Sequence, residues 1–201
     1  MKNKKKVIFV PGHGLSSPTE VTDWPNWLGQ QLEKKGFDFI RLSMPNPMYP
    51  EVGAYVDFLN QQKFEVDENT YFVGHSLGCI TTARFLEKLP LANVAGGCVF
   101  VAGFCSFLEI PLLQEFCTLP LDFSEVRKHS KEFTVIISDN DHVIPRVRSE
   151  ELAEKLNAKI IVEHKKGHFI SGIREIRSAL DAILEMDKQK SKFSIWKILG
   201  F

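Results

Sequence analysis

No hydrophobic run in this chain approaches the roughly 20 apolar residues needed to span a bilayer. There is no excess of charge either: 25 Lys and Arg balance 25 Asp and Glu, for a formal net charge of zero. No basic stripe with interleaved aromatics occurs, so nothing points to nucleic acid as a partner. Cysteine is scarce. Cys79, Cys98, Cys105 and Cys117 form no C-x-x-C pair, and no histidine spacing completes a zinc site. Buried, reduced thiols are the expectation, with no metal. Phosphate-cradling motifs are missing too: neither G-x-G-x-x-G nor G-K-[ST] is present, so a phosphate-binding reading of the Gly-rich first loop fails. Internal repeats and low-complexity linkers are absent.

What is present suits one globular domain. The 201 residues are 44% apolar and 25% charged, enough to close a single core. A lysine-rich start followed by Val7 to Val10 resembles the opening of a signal peptide. The apolar run stops at Pro11, too short for the central segment of such a signal, and a cytoplasmic setting is expected.

Short apolar runs alternate with longer amphipathic segments. Strands are predicted at 7–10, 37–42, 71–73, 95–102, 133–137 and 159–162. Helices are predicted at 24–35, 52–62, 77–89, 122–129, 148–156 and 173–186. Continuous apolar strands between helices imply a mostly parallel sheet covered on both faces, a three-layer α/β domain. Its boundaries are set at 1–188, with 189–201 as a C-terminal tail. In such sheets ligands lie beyond the carboxyl ends of the strands, so the post-strand loops carry the chemistry.

After the third strand comes Gly74-His75-Ser76-Leu77-Gly78. This is G-x-S-x-G, a sharp strand-to-helix turn that exposes a serine hydroxyl at a helix N-terminus. A serine needs a base, and the base an orienting carboxylate, in the chain order Ser, Asp or Glu, His. The loop after the fifth strand offers Asp139 and Asp141, which spacing alone does not separate. The loop after the sixth offers His168 behind Gly167, favoured over His13, His75, His129, His142 and His164. His75, the x of the motif, is expected to point away. The first oxyanion donor is expected to be the Leu77 amide. The second should come from the loop Pro11-Gly12-His13-Gly14-Leu15, with Gly14 and Leu15 as open alternatives.

These residues resemble the retinoblastoma-binding protein nine family of small serine hydrolases, over roughly Val7 to Met186. The likeness rests on Val10-Pro11-Gly12, Trp24 and Trp27-Leu28, Met44-Pro45-Asn46-Pro47, Gly74-His75-Ser76, Asp141-x-x-Ile144-Pro145 and Gly167-His168-Phe169. It implies the α/β-hydrolase fold and cofactor-free hydrolysis of a small ester or amide. It places the catalytic serine, aspartate and histidine on Ser76, Asp141 and His168. The L-x-C-x-E motif behind the family's name is missing, the stretch reading Phe64-Glu65-Val66-Asp67-Glu68. Nothing therefore supports retinoblastoma binding here.

Two segments have double readings. Residues 103–120 are either a small lid, with Phe104, Phe107, Leu108, Leu112, Leu113 and Phe116 lining an acyl pocket, or a crossover packed on the core. The tail from Phe193 to Phe201 either touches a membrane surface or packs on protein, the second being the expectation. The rival functions are a non-catalytic scaffold on the same fold, an acyltransferase or a thioesterase.

Overall fold

Six strands form the centre of the protein: β1 (Lys6–Val10), β2 (Asp38–Arg41), β3 (Thr70–His75), β4 (Gly97–Val101), β5 (Phe133–Ser138) and β6 (Lys159–Glu163). In the computed structural model they pair in the order β2-β1-β3-β4-β5-β6, and every pairing is parallel. The structure describes residues 4–14, 23–170 and 172–199, the last ten as backbone only. All six strands lie where the apolar runs predicted them. The central strands β3, β4 and β5 are buried along their whole length, while edge strand β6 is half exposed. That gradient is why the inner strands read as unbroken apolar runs.

The helices cover both faces. On one side lie α2 (Val52–Gln61), α3 (Leu77–Glu87), α4 (Gln114–Thr118), α5 (Phe123–Lys128) and α6 (Arg146–Leu156). On the other lie α1 (Trp24–Glu33) and α7 (Arg177–Leu199). Strand periodicity sorts the core in two: Ile8, Val10, Phe72 and Phe100 face the first set, and Val7, Phe9, Tyr71 and Val99 face the second. Local chemistry starts the helices. Asp23 caps α1 by accepting from the Asn26 amide, ahead of Pro25 in the first turn. Asp122 caps α5 through the amides of Ser124 and Glu125. Arg41 at the end of β2 pairs with Asp23 at 2.9 Å and ties the second strand to the first helix.

The last helix differs from expectation. It begins at Arg177 rather than 173, and its backbone continues past 189, where a separate tail was set. Membrane contact by Phe193 to Phe201 concerns side chains outside the described residues. Among the described residues no helix is long and apolar enough to cross a membrane.

The strand order places the functional edge. From β1 the chain moves outward to β2, then returns to the other side of β1 for β3. The loops leaving β1 and β3 therefore diverge, and a crevice opens between them at the carboxyl end of the sheet. Ser76 follows β3, and the Pro11–Gly14 loop follows β1.

Candidate active site

Ser76 sits between strand and helix with φ 51° and ψ −118°, a backbone conformation that L-residues rarely adopt. Its amide donates to the Val101 carbonyl at 2.9 Å, which anchors the turn to β4. The two flanking glycines allow the turn. A Cβ on Gly74 would lie 2.8 Å from the Cys79 Cα, and one on Gly78 would lie 2.0 Å from the Val10 carbonyl oxygen. Helix α3 can thus start directly against the end of β1 only if residue 78 has no side chain. The N-terminus of α3 lies directly behind Ser76, where the helix dipole favours negative charge.

The structure brings Ser76, His168 and Asp141 together. The Ser76 hydroxyl donates to His168 Nε2 at 3.0 Å. His168 Nδ1–H donates to Asp141 Oδ2 at 2.8 Å. Asp141 Oδ1 accepts from the amides of Val143 and Ile144 at 2.8 and 2.9 Å, so both carboxylate oxygens are held. The Asp141 side chain is 2% exposed. Burial pushes its carboxyl up, but the His168 hydrogen bond and charge and the two amides outweigh this and leave it below the usual carboxylate range. Ser76, His168 and Asp141 all lie in loops that leave the carboxyl ends of strands, which is how residues 92 and 27 positions apart converge.

Asp139 serves another purpose. Its Oδ2 accepts from His164 Nδ1 at 2.7 Å and its Oδ1 from the Lys165 amide at 2.8 Å. Next to it, Asn140 Oδ1 accepts from the Gly167 amide at 2.8 Å, and Ser138 Oγ accepts from the Lys166 amide at 3.0 Å. Residues 138–140 therefore clamp the loop that delivers His168, while Asp141 touches the imidazole itself.

His13 and His129 have their own partners. His13 Nε2–H donates to the Met48 carbonyl at 3.2 Å, and His129 Nδ1–H donates to the Asn93 carbonyl at 2.9 Å. His142 lines a groove. His75 does not turn its back on the site. It is 1% exposed, its Nε2–H donates to the His168 carbonyl at 2.9 Å, and the two ring centroids are 5.1 Å apart. The sequence reading missed this contact. The local signal was a polar ring closing a strand whose centre, Tyr71-Phe72-Val73, carries no charge.

The oxyanion candidates divide. Leu77 begins α3 and is buried beside Ser76. Gly14 is not free to serve as expected: its amide donates to the Pro47 carbonyl at 3.1 Å, because the loop after β2 folds over it. Leu15 lies outside the described residues. Gly12 packs closely on Ser76, since a Cβ there would lie 3.0 Å from the Ser76 Cβ.

Residues 103–120 combine both readings offered for them. Phe104, Leu108, Leu113 and Phe116 are buried in the core, whereas Phe107 and Leu112 are 56% and 39% exposed. Buried Arg84 of α3 fastens the segment, donating to the carbonyls of Phe116, Leu119 and Pro120 at 2.8, 2.6 and 3.2 Å. Phe107, Leu108, Ile110, Val143, Pro145 and Arg148 line a groove of about 660 Å³ against the Asp141 loop. Trp24 belongs to the core: it is 2% exposed and lies edge-on to Phe9. All four cysteines are free, and three are buried. Among the described residues no group of three or more His, Cys, Asp or Glu is placed to hold a metal ion.

A six-stranded parallel sheet with a strained serine turn at the switch point defines an α/β hydrolase. The chain belongs to the serine hydrolase family, whose model, described as "Serine hydrolase", matches residues 7–174. It is 34% identical to YdeN of Bacillus subtilis (strain 168) over 167 residues, 83% of this chain and 86% of that protein. It is 24% identical to the serine hydrolase RBBP9 of Rattus norvegicus over 172 residues, 84% of this chain and 89% of that one. The crystal structure of the ydeN gene product from B. subtilis superposes with a TM-score of 0.85 at 32% identity, covering 92% of this chain and 100% of that chain.

Proposed function

We propose that this serine hydrolase cleaves a small carboxylic ester or amide through an acyl-enzyme on Ser76. The observation that carries the reading is the continuous relay from the Ser76 hydroxyl to His168 to Asp141. His168 Nε2 takes the Ser76 proton as Oγ bonds to the substrate carbonyl carbon. The bond to the leaving group then breaks, and His168 returns that proton to the departing alcohol or amine. Water repeats the cycle from the other side: it loses a proton to His168, attacks the acyl carbon, and Ser76 leaves with the proton. Asp141 holds the imidazole in the tautomer with Nδ1 protonated and stabilises the imidazolium.

The oxyanion is held by the Leu77 amide at the start of α3 and by an amide of the Gly12–His13 stretch, the part of the first loop that packs on Ser76. The groove beside the Asp141 loop, whose apolar side chains are joined by Glu109, His142 and Arg148, is the space assigned to the substrate. Free and mostly buried thiols fit a cytoplasmic setting.

A fluorophosphonate probe followed by peptide mapping tests the assignment, alongside a panel of short- to long-chain p-nitrophenyl esters and aminoacyl amides. Labelling at Ser76, lost in Ser76→Ala, is the expected result. A folded protein that takes no label, or takes it at another serine, would return the scaffold reading to first place.

A further inference from the structure

His75 is a buried imidazole with one hydrogen bond, from Nε2–H to the His168 carbonyl at 2.9 Å. Because that acceptor is a carbonyl, Nε2 carries the proton and Nδ1 is a bare lone pair. Nδ1 is buried and has no partner. It faces Gly12, whose Cβ, if it had one, would lie 3.1 Å away. Leucine or phenylalanine would fill the same space without burying an unpaired lone pair. What the imidazole adds is one donor aimed at the main chain of residue 168.

That main chain needs holding. Gly167 and Phe169, on either side of His168, both have φ of 54°. The next carbonyl, of Phe169, is also held, by Trp24 Nε1–H at 2.8 Å. Trp24 in turn lies edge-on to the His75 ring, with centroids 5.8 Å apart. Two buried aromatic donors, packed on each other, thus fix two consecutive carbonyls under the His168 side chain.

We propose that His75 is a positioning residue, which with Trp24 pins the carbonyls of His168 and Phe169 and so fixes where the His168 ring meets Ser76 and Asp141. The inference rests on the assignment of Ser76 and His168 made above. Burial and the neighbouring His168 charge keep His75 neutral, at about 3, so no second positive charge opposes the imidazolium as it forms. His75 touches no substrate. Its loss therefore displaces the base without changing substrate binding, and a displacement near 1 Å can cost on the order of 10²-fold in rate.

The experiment compares His75→Phe, His75→Gln and His75→Asn with wild type in p-nitrophenyl ester turnover, fluorophosphonate labelling rate and melting temperature. Glutamine places an amide N–H where Nε2 stands; asparagine is too short to reach. The expected result is a kcat lower by about 10- to 100-fold in the Phe and Asn variants, unchanged KM, and kcat within a few-fold of wild type in the Gln variant. Trp24→Phe, which keeps the ring and removes the N–H, should lower kcat in the same direction. A purely structural residue would move melting temperature in all variants without the Gln and Asn separation. If His75→Phe does not fold, the Gln and Asn pair decides alone. Equal kcat in those two, with wild type labelled at Ser76, overturns the proposal and leaves the Ser76 assignment standing. A wild-type enzyme inert to the probe overturns both.

Discussion

Asp141 Oδ2 lies 2.8 Å from His168 Nδ1, and Asp139, two residues earlier, turns its carboxylate to His164 instead. The two aspartates therefore hold different histidines. Asp141→Asn should keep the fold yet leave the imidazole in the wrong tautomer, lowering kcat by about 10⁴-fold. Asp139→Asn should cost far less, since it loosens only the exposed clamp on His164 and Lys165. Ester kcat for both variants, with circular dichroism to verify folding, checks the contrast. A crippled Asp139→Asn beside a near-normal Asp141→Asn would reverse the assignment.

The contact between Gly78 and Val10 makes a second prediction. A methyl at 78 would meet a backbone oxygen at 2.0 Å, and backbone cannot swing aside as a side chain can. Gly78→Ala should cost roughly 1–3 kcal/mol in urea unfolding and slow probe labelling, because the end of β1 and its loop must shift. Gly53→Ala is the control. Gly53 lies in α2 with nothing within 4 Å of its would-be Cβ, so alanine there should stabilise by roughly 0.5–1 kcal/mol.

His75 makes stability depend on pH. Its pKa falls from 6.5 to about 3 in the folded protein, chiefly through burial and then through the neighbouring His168 charge. The unfolded chain therefore binds a proton that the folded one refuses. This group's contribution is intact above pH 6.5 and is lost as pH falls toward 3, at up to about 1.4 kcal/mol per pH unit. Urea titrations between pH 7 and 4.5 should show that slope in wild type and a shallower one in His75→Gln. Parallel slopes would mean that His75 is protonated in the folded state.

Arg84 carries the last prediction. Its guanidinium serves three carbonyls at the end of the 103–120 segment, and burial lowers its pKa from the ordinary value. Arg84→Met should orphan those carbonyls and destabilise by roughly 3 kcal/mol. Hydrogen exchange should rise first around residues 114–121, while β3 and β4 amides stay protected. Arg84→Lys should rescue poorly, because a single ammonium cannot span all three acceptors.

Much of this is written locally. Val7 to Val10, Tyr71 to Val73 and Phe133 to Ile137 are strands because each is apolar, short and closed by a turn. Asp23 and Asp122 begin helices by capping amides two or three residues away. Gly74-His75-Ser76-Leu77-Gly78 marks its own turn, since a Cβ on Gly74 would strike the backbone of Cys79 five residues on. Such features depend on neighbours within a few residues, so the sequence by itself determined the parallel α/β architecture and the serine at its edge.

Tertiary structure decided the rest. Whether Asp139 or Asp141 reaches His168 depends on how two loops 27 residues apart dock, not on spacing within either one. The amide of Gly14 is committed to Pro47 because the loop after β2 returns across it. His75 becomes a partner of the His168 loop, 93 residues away, only when β3 and the end of β6 share one sheet edge. Residues 103–120 divide into buried side chains such as Phe104 and Phe116 and exposed ones such as Phe107. These outcomes turn on directional contacts between distant segments, where differences of about an ångström decide which donor meets which acceptor. A one-dimensional pattern carries the residue types for such contacts but not the distances.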